Sequence, residues 1–400
     1  MTPKKQISLF LFGFLSMMPL SAQNGLTLEK AVETALKNNK ELEVYRLRVE
    51  QRKIVASSYF FADKAKVYYG YDQANVAENG HPLQTVGVEQ TLPFPTIYGV
   101  QNKLEDQYVA QSRWEMEKKK QWLVKNVTRT YYDICFEQLR KKNLLKIDSL
   151  YRKITRGDES RYTKGDISKL DLLNAQARLQ QVSLQLKEAE TNAEMLYTQL
   201  KTLMQTEEPI TIENQEIKIV PIQLVEVDKN PELQLGKSVV EAMKLTSKIE
   251  KQALLPDISL NYFYGNNRFE NARGYHGFQV GLNIPLFFKD QQVKIKAANT
   301  AVKVAEMQWE SNKTILAAKY QNLLNELKKH EKNMQSYRAT GEQLAAEILR
   351  TAEKSYQAGA IDFYQFTQSV ENALKLTTDY YQSVIQYNHI ALEINHLTAD

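Results

Sequence analysis

The sequence predicts a mainly α-helical protein with a small β part, in which long coiled-coil-like helices and four strands are arranged as an internal two-fold repeat. Three observations support this prediction. Gly and Pro number only 15 and 10 of 400 residues, which disfavours an all-β chain with many tight turns. No proline occurs between Pro95 and Pro209, where good helix formers dominate. Two separate segments alternate apolar and polar residues, as strands do.

The N-terminus has the organisation of a signal peptide over residues 1–22. Lys4 and Lys5 precede an apolar run at 7–15, and Ser21 and Ala22 provide small residues for cleavage. The apolar run is too short to span a bilayer, which needs about 20 residues. We therefore expect export from the cytoplasm, in preference to an N-terminal membrane anchor.

Residues 23–206 form the first predicted repeat. It begins with a helix over about 26–61 and continues with a β-hairpin at about 64–94. The second strand of this hairpin has one apolar face, formed by Val86, Val88, Gln90, Leu92 and Phe94. A long helical hairpin follows, with its turn near 157–166. From Leu172 to Leu203 the apolar residues are spaced alternately by three and four positions, which is the pattern of a coiled-coil seam.

Residues 207–231 contain three prolines and β-branched segments, and we predict an irregular segment there. The order of elements then repeats over 232–400 as a helix, a β-hairpin at about 256–288 and a helical hairpin with its turn near 355–362. A shift of 194 residues superposes Val86 on Val280 and Gly165 on Gly359, which indicates duplication. Lys66 falls on Leu260, however, so the facing or register of the first strand stays open.

The two predicted helical turns share a tyrosine followed three positions later by a glycine, at Tyr162 and Gly165 and at Tyr356 and Gly359. A glycine at this position lets a helix end in the left-handed conformation. Ser168 and Asp362 are placed to cap the next helix, with Asp171 and Gln365 in capping-box register. Each turn therefore joins two antiparallel helices.

The strands have features of membrane-spanning strands. They are close to the 9–11 residues that cross a bilayer when tilted, and their second faces carry Glu89, Gln279, Asn283 and glycines. Open sheet edges are not stable in lipid, and four strands are fewer than the roughly eight of the smallest barrels. The strands therefore predict a transmembrane β-barrel shared between chains, whether a dimer or a larger ring. The alternative is a soluble sheet packed on helices.

The leader, the two hairpins with the segments VGVEQTLPF and VGLNIPLF, and the paired Tyr-x-x-Gly turns resemble the TolC-type outer-membrane efflux channel family. The resemblance covers nearly the whole mature chain. It implies a homotrimer with a twelve-stranded barrel in outer-membrane lipid, followed by a helical barrel through the periplasm. Residues 207–231 would belong to an irregular equatorial patch around that barrel.

The resemblance also implies function. It implies a passive exit duct of a tripartite efflux or type I secretion system, docked to a periplasmic adaptor (membrane fusion) protein and an inner-membrane pump such as an RND-type transporter. It assigns the two turns to adaptor docking, with the residues Tyr162, Gly165, Tyr356 and Gly359. The sequence itself predicts no cofactor, no metal ion and no nucleic-acid partner.

A candidate pore constriction follows from the same resemblance. Several family members carry acidic residues six and nine positions after the second glycine. Here these positions are Gln365 and Gln368, and the first-repeat equivalents are Asp171 and Asn174. A charge-locked gate is therefore in doubt. Hydrogen-bonded amides at a constriction and simple solvated side chains both remain open.

Two other classes of protein are alternatives to a channel. The first is a non-porous secreted or periplasmic coiled-coil structural protein. The second is an enzyme, which the lack of a P-loop or nucleophile elbow disfavours. The single cysteine, Cys135, excludes an intramolecular disulfide, and a net charge of +5 is too weak to indicate nucleic-acid binding. His389 and His396 lie roughly 10 Å apart along a helix, too far to share a metal ion.

Overall fold

The computed structural model describes residues 25–58, 62–73, 81–212, 217–222, 227–268, 270–271 and 273–398. These residues form long helices and one small antiparallel sheet, so the predicted mainly α-helical fold with a small β part is confirmed. The predicted signal peptide at 1–22 lies outside the described residues. So do residues 74–80 of the first predicted hairpin and residues 213–216 and 223–226 of the predicted irregular segment.

The described residues of the first half of the chain form four α-helices and two strands. Their bounds are α1 Leu28–Asn38, α2 Lys40–Ala56, β1 Lys66–Asp72, β2 Leu83–Leu92, α3 Thr96–Lys164 and α4 Lys169–Met204. The predicted first helix divides at Asn39, whose side chain accepts from the backbone N–H of Leu42 at 3.0 Å and so caps α2. Helix α3 has 69 residues and extends about 100 Å at ~1.5 Å per residue.

The second half follows the same order of elements. Its bounds are α5 Pro231–Gln252, β3 Asp257–Asn266, β4 Tyr275–Asn283, α6 Lys289–Ser336, α7 Glu342–Gln357 and α8 Phe363–Thr398. A π-helical turn at Tyr337–Gly341, which the sequence analysis did not predict, joins α6 to α7. A search of the described helices found no segment of the length and hydrophobicity that a membrane-spanning helix requires.

The four strands pair in the order β1-β2-β3-β4, all antiparallel, so that β2 and β3 join the two hairpins. One face of the sheet is mainly apolar, although Gln84, Gln90 and His276 also lie on it. Its apolar members on the four strands include Val67, Tyr69, Val86, Val88, Tyr262, Tyr264, Phe278 and Val280. These side chains are exposed in the single chain, with Val67 at 71% and Phe278 at 67%. A continuous exposed apolar surface of this kind marks contact with a membrane or another protein.

The first strand differs between the two hairpins. Tyr68 lies opposite Gly87, whereas its counterpart at the 194-residue offset, Tyr262, lies opposite Phe278 and not Gly281. The pairing is therefore shifted by three residues, and an odd shift moves side chains to the other face of a sheet. Tyr68 consequently lies on the polar face and Tyr262 on the apolar face. The same shift explains why Lys66 falls on Leu260 at the 194-residue offset, because the two residues lie on opposite faces of the sheet.

The larger hydrophobic core lies between the middle of α3 and the C-terminal ends of α4 and α8. Its fully buried members include Leu123, Ile134, Leu200 and Ile394. Leu26 forms a parallel bridge with Ile212 beside this core. Asn388, also fully buried, accepts from the Val220 N–H at 2.9 Å and donates to the Lys218 carbonyl at 2.8 Å. Residues 218–220 of the irregular segment are thereby fixed against the C-terminal part of α8.

His396, near the end of α8, makes the stability of this region sensitive to pH. Burial, with nearby Lys125 and Lys319, lowers the pKa of His396 to about 4 from an ordinary value of 6.5. The unfolded chain therefore binds a proton more readily, and stability present above pH 6.5 is lost as pH falls toward 4.

We expect His396→Gln to reduce the loss of stability between pH 7.5 and pH 5, by on the order of 1 kcal/mol. Thermal unfolding in detergent at the two pH values, for the wild type and the variant, measures this difference. Because each protein is compared with itself at the two pH values, any effect of the substitution on packing that does not depend on pH cancels. An unchanged pH difference would show that the imidazole does not contribute.

Candidate functional site at the helical turns

Both predicted helical turns have the same backbone geometry. Gly165 and Gly359 adopt left-handed φ values of 80° and 71°, which residues with a Cβ rarely adopt. Their N–H groups donate to the carbonyls of Tyr162 and Tyr356 at 2.9 and 3.0 Å. The following residue in each turn donates to the carbonyl five positions earlier, which completes a Schellman motif. The glycines therefore end α3 and α7 as predicted.

The helices that follow are capped by their own first turns. The Ser168 hydroxyl accepts from the Asp171 N–H at 3.1 Å, and the Asp171 carboxylate accepts from the Ser168 N–H at 3.1 Å. Asp362 and Gln365 make the equivalent pair, at 2.7 and 3.2 Å. Both predicted capping boxes are thus confirmed, and they fix the start of α4 and α8.

A second hydrophobic core joins the two helical hairpins next to these turns. Tyr151 and Phe366 are fully buried, and Tyr356 is 4% exposed. The Tyr356 and Phe366 rings stack with their centroids 5.0 Å apart, and Tyr151 meets Phe366 edge-on at 5.8 Å. Because Tyr151 belongs to α3 and the other two rings to α7 and α8, the hairpins pack as one body at this end.

A buried polar contact links the same two hairpins. The Tyr356 hydroxyl donates to the Asp158 carboxylate, whose two oxygens are each 2.9 Å away. Burial raises the pKa of the Asp158 carboxyl above its ordinary value, and burial together with the Asp158 charge raises the pKa of the Tyr356 hydroxyl. Tyrosine therefore stays protonated and donates at neutral pH. Arg161 lies 3.7 Å from the same carboxylate.

Near the turns, the described residues include two ion pairs that cross between the hairpins. Arg178 of α4 contacts Glu371 of α8 at 2.5 Å, and the Arg178 side chain is 19% exposed. Lys153 of α3 contacts Glu353 of α7 at 2.7 Å, with the lysine side chain 63% exposed. An exposed pair contributes about 0–1 kcal/mol, so we regard the partly buried Arg178 pair as the stronger link.

The two turn tyrosines, although equivalent in the predicted repeat, lie in different surroundings. Tyr356 is buried, whereas Tyr162 is 40% exposed and lies 5.0 Å from the Lys169 ammonium. Leu170 and Tyr364, in the first turns of α4 and α8, are 66% and 75% exposed. The tip of the hairpins therefore presents apolar side chains on its surface, which is typical of a protein contact site.

The candidate constriction residues lie in the first two turns of α4 and α8. Asp171 and Gln365 use their side chains in the capping boxes described above. Asn174 is exposed, and Gln368, also exposed, donates to Asn372 at 3.4 Å. The constriction that copies of these residues would form stays a prediction.

Sequence reasoning missed Asp158, Arg161 and Arg178 at this site. The spacing of Asp158 and Arg161 marks a helical ion pair, but such pairs are common on any solvated helix. The partner that gives Asp158 its role, Tyr356, is 198 positions away in the chain. No local signal connects the two residues.

Metal binding and thiol chemistry find no support among the described residues. No group of three or more His, Cys, Asp or Glu side chains there has the geometry to hold a metal ion. His389 contacts Asp133, with 2.7 Å between Nε2 and Oδ1. Burial raises the pKa of Cys135 to about 12, so its thiol stays protonated and packs in the central core.

Comparison with known proteins gives a family match for part of the chain and a fold for nearly all of it. Residues 226–387 match the sequence profile of the family described as outer membrane efflux protein. Among curated proteins no match was found.

Similar solved structures cover 93% of this chain. A membrane protein from Pseudomonas aeruginosa has a TM-score of 0.79 at 14% identity, with 90% of its own chain covered. The CmeC outer membrane channel of Campylobacter jejuni has a TM-score of 0.75 at 15% identity and 85% coverage. The open state of the MtrE outer membrane channel of Neisseria gonorrhoeae has a TM-score of 0.71 at 14% identity and 88% coverage. The described chain therefore has the fold of these proteins.

Proposed function

We propose that this chain is one protomer of an outer-membrane channel that forms the passive exit duct of a tripartite efflux or type I secretion system. The observation that carries the proposal is the two-faced sheet, apolar and exposed on one face and polar on the other, at one end of long helices. The match of residues 226–387 to the outer membrane efflux protein family and the fold shared with outer-membrane channels support it.

The sheet requires further copies of the chain if it lies in lipid. Strands β1 and β4 are its edges, and unpaired backbone groups at an edge are costly in a membrane. Joining edges between copies closes a barrel without exposing those groups. We propose a homotrimer, which gives twelve strands, with the apolar face in outer-membrane lipid and the polar face around the duct. The long helices then extend into the periplasm.

The opposite end of the helices suits contact with other proteins of the export system. The exposed side chains Tyr162, Leu170 and Tyr364 lie beside the two Schellman turns. We assign this surface to a periplasmic adaptor (membrane fusion) protein that connects the duct to an inner-membrane pump such as an RND-type transporter. Asp171, Asn174, Gln365 and Gln368 are the proposed lining of the constriction. The pump supplies the energy, and transport through the duct is passive.

Purification from outer-membrane fractions and planar-bilayer recording test the proposal. A channel gives trimers on gels that dissociate on heating, and stepwise conductance in bilayers. The alternative, a non-porous coiled-coil structural protein, predicts a water-soluble product with no conductance. Either a soluble monomer or a silent trimer would overturn the exit-duct proposal.

Neighbouring residues of β4 provide a matched test of the facing of the sheet. Phe278 lies on the apolar face and Gln279 on the polar face. We expect Phe278→Lys to destabilise the membrane-inserted protein by about 2–4 kcal/mol, the cost of a lysine facing the centre of the lipid. Gln279→Lys places the same charge in the aqueous duct and should insert normally. The yield of heat-dissociable trimers measures both, and equal yields would contradict the assigned faces.

A further inference from the structure

The polar face of the sheet carries one row of paired polar side chains that crosses all four strands. Lys66 lies opposite Glu89, Glu89 opposite Asn261, and Asn261 opposite Gln279. The Lys66 ammonium lies 3.3 Å from the Glu89 carboxylate, and Asn261 donates to Gln279 at 3.2 Å. The row therefore combines one ion pair with two amides. We refer to these four residues as the polar row.

The next row on the same face consists of aromatic rings and glycines. Tyr68 lies opposite Gly87, and Phe263 opposite Gly277. A Cβ added to Gly87 would lie 2.4 Å from the Tyr68 ring, and one added to Gly277 would lie 2.1 Å from the Phe263 ring. Each ring therefore lies flat over the backbone of the neighbouring strand. The Tyr68 hydroxyl donates to Asn261 at 3.0 Å, which connects the two rows.

The packing of the rings determines which groups project from this face. Because Tyr68 and Phe263 lie flat over the glycines, they do not stand up beside the polar row. The Lys66 and Glu89 side chains are 70% and 34% exposed, so both charges are accessible from the polar face. If that face lines a closed barrel, these charges are held close to the path of any solute.

We propose that the polar row determines the ion selectivity of the β-barrel part of the duct. Pairing of Lys66 with Glu89 keeps the preference of the duct between cations and anions small. The proposal rests on the proposed channel function. Each copy of the chain contributes one positive and one negative charge at the same level of the barrel. The field of the paired charges largely cancels at the distance of the duct axis, and the amides carry no net charge. Breaking the pair leaves a ring of like charges, whose field in a narrow cleft enriches ions of opposite sign.

Single-channel reversal potentials in a potassium chloride gradient test this proposal. Glu89→Gln leaves Lys66 unpaired, and we expect the permeability of potassium relative to chloride to fall about twofold or more. Lys66→Gln leaves Glu89 unpaired, and the same ratio should rise by a similar factor. Both shifts should diminish at high salt, where charges are screened.

The double variant Lys66→Glu with Glu89→Lys is the matched control, because it reverses the pair without changing net charge. We expect its permeability ratio to lie close to that of the wild type. Heat-dissociable trimers are measured for all forms, so that selectivity is compared only between assembled channels. Channels that conduct but keep the wild-type ratio in both single variants would overturn the polar-row proposal alone. An absence of channels in the wild type would instead overturn the proposed function.

Discussion

Gly359→Pro is expected to abolish export while trimers remain in the outer membrane. The native φ of 71° is incompatible with proline, which fixes φ near −65°. Proline also lacks the N–H that donates to the Tyr356 carbonyl at 3.0 Å. The turn between α7 and α8 must therefore rearrange, together with the exposed surface that we assign to the adaptor. Export of a dye or drug by intact cells, with the amount of trimer in outer-membrane fractions, measures the effect.

Gly359→Asn keeps the shape of the turn but adds a side chain to its surface, so it tests whether export depends on access to that surface. Asparagine tolerates the left-handed conformation better than most residues, and a Cβ at Gly359 meets no other atom within 4 Å in the chain. We expect normal trimers but reduced export, because the new side chain occupies space that a docked adaptor needs. Gly99→Ala, also at a position with no atom within 4 Å of an added Cβ but at the other end of α3, is the control. Normal export by Gly359→Pro would remove the docking assignment.

Tyr356→Phe is expected to loosen the contact between the two helical hairpins at the tip. The substitution removes the hydroxyl that donates to Asp158 and leaves that carboxylate buried with one partner fewer. Loss of a partner by a buried polar group costs about 1–3 kcal/mol. We expect a lower thermal midpoint and, because α7 and α8 are held less firmly to α3 and α4, a larger single-channel conductance.

Tyr162→Phe is the matched control for this prediction. Tyr162 holds the equivalent place in the first turn but is 40% exposed, so loss of its hydroxyl should change neither quantity measurably. Asp158→Asn gives an independent comparison, since the amide oxygen still accepts from Tyr356 and no buried charge remains. Its thermal midpoint should lie above that of Tyr356→Phe. Equal conductance for the wild type and Tyr356→Phe would show that this contact does not hold the tip.

Much of the local structure could be predicted from the sequence because its causes are local. The positive φ at Gly165 and Gly359 strongly favours glycine, and the capping partners of Ser168 and Asp362 lie three residues away. Strand β2 alternates along its length, which assigns its two faces without reference to any partner. The order of these signals also led to the resemblance to outer-membrane efflux channels; residues 226–387 match the profile of that family, and the chain shares the fold of solved outer-membrane channels.

Some features of the helices were not predictable from periodicity. The π-helical turn at Tyr337–Gly341 interrupts a stretch with no proline, and Gly341 faces the Tyr337 ring so closely that a Cβ would lie 2.5 Å from it. The helix boundary at Asn39 likewise depends on a distant group, because Asn39 also donates to the Leu203 carbonyl at 3.2 Å. The Tyr337 ring in turn stacks on Tyr380 of α8, with the ring centroids 4.3 Å apart, so both deviations coincide with contacts between elements.

The sequence by itself determined where the two long helical hairpins turn, which residues of strand β2 share a face and which class of protein the chain resembles. These properties follow from backbone sterics, capping and a two-residue period, all of which act over a few positions. Only the tertiary structure decided that Tyr68 faces the polar side, that Tyr356 reaches Asp158, and that Lys66, Glu89, Asn261 and Gln279 form one row. Each of these depends on register or packing between segments distant in the chain, and contacts of that range are fixed by the free energy of the whole fold.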